Sequence, residues 1–188
     1  MYVNNDISLL ILSTPVNFSS NAVQPICLPD SFCTNRPKVD EYCTTTGWGL
    51  MNMNRSHNSM VPPFKPRHVS MPIVKCPDTK KQAGYICTGG KPNGTGTEGA
   101  CVGDSGGPLQ CSFSPEKWTL SGVVSGAILR DEYPFEPYCG AGGKYTRVEP
   151  NLQWIWETIC KHSMFSGSAK MCNTVSQNVQ RPEWFRPV

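Results

Sequence analysis

A serine placed among glycines is the first feature of this 188-residue chain that could carry out chemistry. Residues 103–107 read Gly-Asp-Ser-Gly-Gly, and the serine is Ser105. A serine hydroxyl becomes an effective nucleophile only when a neighbouring base takes its proton. The flanking glycines allow a sharp backbone turn, so that amide N–H groups can point at one place. The motif alone leaves two alternatives open, nucleophilic catalysis by Ser105 or a plain turn.

The same five residues also fit the G-x-S-x-G elbow of the α/β-hydrolases, whose further triad members would be Asp131 and His162. That elbow needs a helix directly after the serine. In this chain, residues 106–108, Gly-Gly-Pro, lead into Leu-Gln-Cys, which is typical of a strand. We therefore reject the α/β-hydrolase interpretation.

The composition predicts the kind of structure that would hold this motif. Glycine and proline number 17 each and charged residues make up only 16%, which favours short strands and turns over a helical bundle. A single helix is predicted from Pro150, because Leu152, Ile155 and Ile159 follow at helical spacing. The predicted strands are residues 7–12, 42–46, 69–74, 85–88, 108–113, 119–129 and 144–148.

Nucleic-acid and membrane proteins are excluded by charge and hydropathy. Lys and Arg number 17 against 14 Asp and Glu, and the basic residues are scattered, so no nucleic-acid surface is expected. No apolar run approaches the ~18 residues that a membrane span needs. The three histidines show no zinc-ligand spacing, and we expect neither a metal nor another cofactor.

Ten cysteines indicate the compartment in which the chain folds. Their even number and wide spacing predict disulfides and an oxidising, secretory environment. Sequons at Asn17, Asn54 and Asn93 agree with secretion and predict a glycoprotein. The first residues, Met1 to Asp6, lack the basic start and apolar centre of a signal peptide. We therefore expect that sequence is missing before residue 1.

Several segments resemble one protein family. Residues 103–108, Gly-Asp-Ser-Gly-Gly-Pro, resemble the nucleophile loop of the chymotrypsin/trypsin-like serine endopeptidases. Residues 5–10 resemble the segment that carries that family's triad aspartate, and residues 46–49 resemble the first strand of its second barrel. Further similar segments are residues 25–29, residues 85–89 and the helix at Trp154–Ile155. Because the segments follow the family's order, a plain turn at Ser105 is no longer favoured.

The resemblance implies an all-β fold with a C-terminal helix. Its main part would be the C-terminal six-stranded antiparallel barrel of a chymotrypsin-like double barrel, preceded by a partial first barrel. Residues 1–162 would form a truncated protease domain, with 1–40 as the remnant of the first barrel and the interdomain link. Residues 41–162 would be the second barrel plus the helix, and residues 163–188 a polar, loosely ordered tail.

The resemblance also implies catalytic roles. Ser105 would be the nucleophile that forms an acyl-enzyme, and Asp6 would orient the catalytic histidine. The N–H groups of Gly103 and Ser105 would form the oxyanion hole. Asp104 would form the activation salt bridge with an α-amino group that activation cleavage creates. The implied partner is a protein or peptide substrate.

The histidine of the triad is not among the 188 residues. In the family it precedes the aspartate, so it would lie before residue 1. His57 falls in a polar loop, His68 opens a strand and His162 follows the last helical turn, where surface or helix-end roles are expected. We therefore expect no peptidase activity from residues 1–188 alone. Two alternatives stay open: a non-catalytic homologue that serves as a binding or regulatory module, and an incomplete gene product without function.

The resemblance places a specificity pocket around Gly99, Ser125, Gly126, Ala127 and Gly143. Gly99 would form the base, where an acidic residue would favour Lys or Arg. Ala127 would narrow the pocket, and Gly126 replaces the tryptophan that is usual in the family. These differences predict a neutral pocket for apolar side chains.

Family pairing also implies disulfides. From the residues alone, Cys27, Cys33, Cys160 and Cys172 could pair in three ways, and this choice stays open. In the family, the cysteine matching Cys27 often pairs with a pro-peptide or light chain, and the resemblance therefore implies an unpaired Cys27 in residues 1–188. The implied disulfides are Cys43–Cys111, Cys76–Cys87 and Cys101–Cys139.

Overall fold

The computed structural model describes residues 5–29, 36–50, 62–76, 84–92, 97–115, 117–127 and 142–162. The strands in these ranges are β1 (Tyr42–Gly47), β2 (Arg67–Val74), β3 (Tyr85–Gly89), β4 (Lys91–Pro92), β5 (Thr97–Glu98), β6 (Pro108–Ser114), β7 (Lys117–Ala127) and β8 (Gly142–Arg147). A 3-10 turn, Glu149–Asn151, leads into helix α1 (Leu152–His162). Within the described ranges, no helix is long and apolar enough to span a membrane.

Six strands form a closed antiparallel barrel in the order β1-β2-β3-β8-β7-β6, while β4 and β5 form a separate two-stranded sheet. The barrel closes where β1 pairs with β6, and Cys43 lies opposite Cys111 in that register. These two residues form a disulfide with 4.5 Å between their Cα atoms. The expected six-stranded antiparallel barrel is therefore confirmed, and its closing strands are joined by both hydrogen bonds and a covalent cross-link.

Alternate strand residues fill the barrel interior, because successive side chains of a strand point to opposite faces. Met71 of β2, Leu109 of β6 and Tyr145 of β8 are fully buried in one apolar cluster. A second cluster forms around α1, where Ile7 and Leu9 pack against buried residues of the helix. The segment 5–29, called the N-terminal segment below, is thus held partly by the C-terminal helix.

The structure agrees with most of the predicted elements. The barrel strands are confirmed with shifts of one or two residues at their described ends, and the helix is confirmed. Pro150 lies in the 3-10 turn before α1 rather than at the first α-helical position. The predicted tail, residues 163–188, and residues 128–129 lie outside the described ranges.

The predicted strand at residues 7–12 is wrong. These residues belong to no strand, and the β-bridge of the N-terminal segment is formed by Cys27 with Thr119. Apolar residues marked this stretch as strand-like, but no described segment pairs with its backbone. Its contacts are side-chain packing of Ile7 and Leu9 against the α1 cluster.

Candidate active site

The predicted nucleophile loop, residues 103–107, leads directly into β6. Gly103 and Gly106 have φ angles of 98° and 82°, which side-chain-bearing residues rarely adopt. Two hydrogen bonds of 2.9 Å tie the loop to β7, from the Gly106 N–H to the Val124 carbonyl and from the Val124 N–H to the Gly107 carbonyl. Ser105 is exposed on this anchored loop.

The amides of the loop fall into two groups. Those of Asp104, Gly106 and Gly107 donate to backbone carbonyls at 2.9 to 3.0 Å. Those of Gly103 and Ser105, the pair predicted as an oxyanion hole, donate to no described residue. Unpartnered amide donors next to an exposed hydroxyl can stabilise the negative oxygen of an acyl-transfer intermediate.

Asp104 points to the chain that follows β1. Its Oδ1 accepts a hydrogen bond from the Gly49 N–H at 2.8 Å, and its Oδ2 accepts one from the Cys101 N–H at 2.9 Å. A Cβ atom on Gly47 or Gly49 would collide with this carboxylate. The absence of side chains there therefore allows the close approach. A carboxylate has about four acceptor positions, so these two bonds leave capacity for the predicted α-amino partner.

Asp6 lies on the N-terminal segment and contacts β7. The Ser125 hydroxyl donates to Asp6 Oδ2 at 2.8 Å. Ser125 falls at an irregularity of the β7–β8 register, between Val124 and Gly126, and bulges of this kind re-aim side chains. Because Val124 anchors the nucleophile loop, Asp6 and that loop are held by adjacent residues of one strand. The sequence predicts Ser125 as a pocket residue and does not predict this contact.

The charge of Asp6 also acts on Tyr85, at the start of β3. Burial raises the pKa of Tyr85, and the nearby Asp6 carboxylate raises it further. Lys144 Nζ lies 4.5 Å from the centroid of the Tyr85 ring, which is a cation–π contact. The negative charge of Asp6 therefore acts on a barrel residue, although Asp6 lies on the N-terminal segment.

The strands bring part of the predicted specificity pocket together. Gly143 of β8 pairs with Ala127 of β7 on one side and with Thr88 of β3 on the other. The Gly143 N–H donates to the Thr88 hydroxyl at 3.1 Å. Gly126 lies beside Ala127 on β7, whereas Gly99 follows β5, outside the barrel strands.

Tyr145 is a buried barrel residue beside Gly143, and the sequence did not indicate it. Its side chain is fully buried next to Gly143, where an added Cβ atom would lie 2.6 Å from the ring Cε2. Its phenol oxygen has no hydrogen-bond partner among the described residues. Burial raises the pKa of Tyr145, whereas the nearby hydroxyls of Thr88 and Thr45 lower it. The signal that could have found it is its position two residues after Gly143, on the same strand face.

No histidine in the described ranges is hydrogen-bonded to Ser105 or Asp6. His68 is exposed on β2, where it lies opposite Thr46, and His162 is the exposed last residue of α1. His57 lies outside the described ranges. Among the described residues, the candidate site therefore consists of the exposed Ser105, the amides of Gly103 and Ser105, and the Asp6 carboxylate.

The cysteines agree with the predicted framework where they are described. The Cys76–Cys87 disulfide is confirmed, like Cys43–Cys111. Cys101 is disulfide-bonded, and its predicted partner Cys139 lies outside the described ranges. Cys27 has a free, partly buried thiol, as expected.

Comparison with known proteins gives the family of the chain. The family model described as Trypsin matches residues 1–155. The chain is also 33% identical over 175 residues to Clotting factor C of Tachypleus tridentatus. That alignment covers 84% of the chain and 16% of the relative, so the chain spans about one sixth of the relative's length. With its nucleophile-type loop, its six-stranded barrel and a family match over most of its length, the chain belongs to the trypsin family of serine proteases.

Proposed function

We propose that the protein is an endopeptidase that cleaves peptide bonds through an acyl-enzyme on Ser105. The observation that carries this proposal is the pair of amides of Gly103 and Ser105, which donate to no described residue and lie beside the exposed Ser105 hydroxyl. Ser105 Oγ adds to the substrate carbonyl carbon, and its proton passes to a general base. The carbonyl oxygen becomes an oxyanion that both amides stabilise. The C–N bond then breaks, the base protonates the leaving amine, and water hydrolyses the ester on Ser105.

Asp6 and Asp104 have supporting roles in this proposal. Asp6 orients the base and stabilises its charged form, and the hydrogen bond from Ser125 supports this role because it fixes Asp6 on β7. Asp104 binds the α-amino group that activation cleavage creates. The amides of Gly49 and Cys101 support the second role, since they hold the Asp104 carboxylate beside the nucleophile loop.

Activity of residues 1–188 by themselves would require a general base next to Ser105. Neither His68 nor His162 contacts Ser105 in the described residues. A serine without a base is a poor nucleophile. The family resemblance assigns the base to none of His57, His68 and His162, and on that ground we expect residues 1–188 to show no turnover by themselves. We expect activity in the processed protein, which is the activation-cleaved form that cells secrete.

The specificity proposed for this enzyme is for apolar side chains. The residues assigned to the pocket, which include Gly99, Ala127 and Gly143, carry no charge that would bind Lys or Arg. In a peptide library, the processed protein should prefer Leu, Met or Phe before the cleaved bond, and a preference for Lys or Arg would contradict this assignment.

An extracellular location and a covalent partner complete the proposal. The disulfides of the barrel support folding in an oxidising compartment. The free thiol of Cys27 supports a disulfide to a pro-peptide or light chain, because Cys27 forms no disulfide within the described residues. Non-reducing electrophoresis of the secreted protein, with a Cys27→Ala variant as control, should show a partner released only by reduction.

A fluorophosphonate probe tests the central step, because it bonds covalently to an activated serine. We expect the processed protein to be labelled at Ser105 and to hydrolyse peptides. Ser105→Ala should lose labelling and about 10⁶-fold in kcat. Ser112→Ala is the matched control, since the Ser112 hydroxyl donates a hydrogen bond to the Ser114 carbonyl on β6 and takes no part in the proposed chemistry. A processed protein that is neither labelled nor active would favour the non-catalytic binding module.

A further inference from the structure

The N-terminal segment carries one motif that catalysis does not use. Asn17-Phe18-Ser19 fits the acceptor pattern for N-linked glycosylation, in which any residue but proline separates Asn from Ser or Thr. The other two sequons, at Asn54 and Asn93, lie outside the described ranges. Asn17 is therefore the sequon whose surroundings the structure describes.

The local geometry leaves the reacting atom of Asn17 accessible. Asn17 is exposed and lies in irregular chain, outside any strand or helix. Its Oδ1 accepts a hydrogen bond from the Ser19 N–H at 2.9 Å, which forms a compact Asx turn. That bond uses the amide oxygen and leaves the amide nitrogen, Nδ2, without a hydrogen bond to any described residue.

The surroundings of Asn17 also suit a bound sugar. The segment exposes a run of apolar side chains, and Leu10 alone is 87% exposed. A glycan is bulky and strongly hydrated, so one attached here would raise the solubility of this apolar segment. Other exposed apolar side chains near the sequon include Ile11, Leu12, Val16, Phe18 and Val23.

The geometry points to Asn17 as an N-glycosylation site that is occupied during secretion. The donor is an oligosaccharide linked to a polyprenyl pyrophosphate. Asn17 Nδ2 forms a bond to the anomeric carbon of the first sugar, and the bond between that carbon and the pyrophosphate oxygen breaks. The lipid pyrophosphate leaves, and the amide gives up one proton. The hydroxyl of Ser19 is the feature of the acceptor that the transferase requires.

Glycopeptide mapping tests this site. The full chain, placed behind a cleavable secretion leader, is expressed in insect cells, and both the medium and the cell lumen are analysed. We expect the peptide containing Asn17 to carry a glycan, which peptide-N-glycosidase in heavy-oxygen water converts into a labelled Asp at position 17. Lumenal material is included because transfer precedes export, so poor secretion does not obscure the result.

Matched variants separate occupancy from folding effects. Asn17→Gln and Ser19→Ala should remove this glycan, whereas Ser19→Thr should keep it, because threonine also satisfies the pattern. Asn54→Gln and Asn93→Gln should leave the Asn17 glycan in place. An unmodified Asn17 peptide in both the medium and the lumen would overturn the assignment.

Discussion

The barrel and the N-terminal segment contribute to the same candidate site but are held in different ways. Each barrel strand is paired on both sides, and a disulfide joins the closing pair β1 and β6. The N-terminal segment is attached to β7 by backbone hydrogen bonds of Cys27 with Trp118 and Leu120, and by the Asp6–Ser125 bond. Its apolar side chains at residues 10–12 are exposed.

The two regions hold different parts of the proposed catalytic site. The proposed oxyanion donors and Ser105 lie on a loop fixed by glycine geometry and by β7, so their arrangement is a property of the barrel. Asp6 reaches the same strand through one side-chain contact. We infer that the nucleophile loop is preorganised, whereas the position of the carboxylate depends on how the N-terminal segment is attached.

Neutralising Asp6 is the strongest test of what the segment contributes. In the processed protein, Asp6→Asn should lower kcat by about 10⁴-fold, because the amide cannot stabilise a positively charged base. Labelling by a fluorophosphonate should slow in parallel, while the free energy of unfolding changes little. Asp40→Asn is the control, since Asp40 is exposed at a φ of 73° that Asn tolerates. A kcat for Asp6→Asn within tenfold of the original would remove Asp6 from the proposed mechanism.

Removing the barrel disulfide tests the opposite region. The pair Cys43–Cys111 closes 68 residues of chain, so the double variant Cys43→Ala/Cys111→Ala should lose about 4 kcal/mol of unfolding free energy. The cross-link acts by restricting the unfolded chain. Cys27→Ala, made in the same 188-residue chain without the proposed covalent partner, removes a thiol that forms no disulfide there and should cost less than about 1 kcal/mol. Equal losses from the two variants in denaturant titrations would contradict the assigned role of the cross-link.

The same contrast explains what could be predicted from the sequence. Barrel strands such as β2 and β6 carry alternating patterns between turn residues, and these local signals suffice for their positions. Residues 7–12 carry a similar apolar signal, but a strand also needs a partner, and the pattern does not say whether one exists. The Asp6–Ser125 bond joins residues 119 positions apart, and nothing local encodes such a contact.

A substitution at the contact between Ser125 and Asp6, which joins the two regions, should lower activity by a smaller factor. Ser125→Ala removes the hydroxyl that donates to Asp6 and leaves the carboxylate in place. We expect kcat/KM of the processed protein to fall about tenfold, equivalent to about 1.4 kcal/mol, because the contact is solvent-exposed and its loss only loosens Asp6. Ser125→Thr, which keeps a hydroxyl, should recover part of the activity. A loss as large as that of Asp6→Asn would mean that Ser125 does more than position Asp6.

The smallest effect is expected from Tyr145→Phe, which changes a side chain inside the barrel and leaves the N-terminal segment unchanged. Its phenol oxygen is buried without a partner among the described residues, and such a group costs stability. Tyr145→Phe should therefore leave the unfolding free energy unchanged or raise it by up to about 1 kcal/mol near neutral pH. Tyr42→Phe, on an exposed side chain, is the control.

The same variant also tests how the free energy of unfolding depends on pH. Burial raises the pKa of Tyr145 above its ordinary value of 10.0, so the folded protein holds the phenol proton more tightly than the unfolded chain does. This contribution is fully present below pH 10 and is lost as the pH rises towards the folded pKa. Alkaline denaturant titrations should show a steeper loss of stability for the original protein than for Tyr145→Phe, which retains the contribution of Tyr85 but not that of Tyr145. Identical pH profiles would show that the phenol is solvated rather than buried in the barrel.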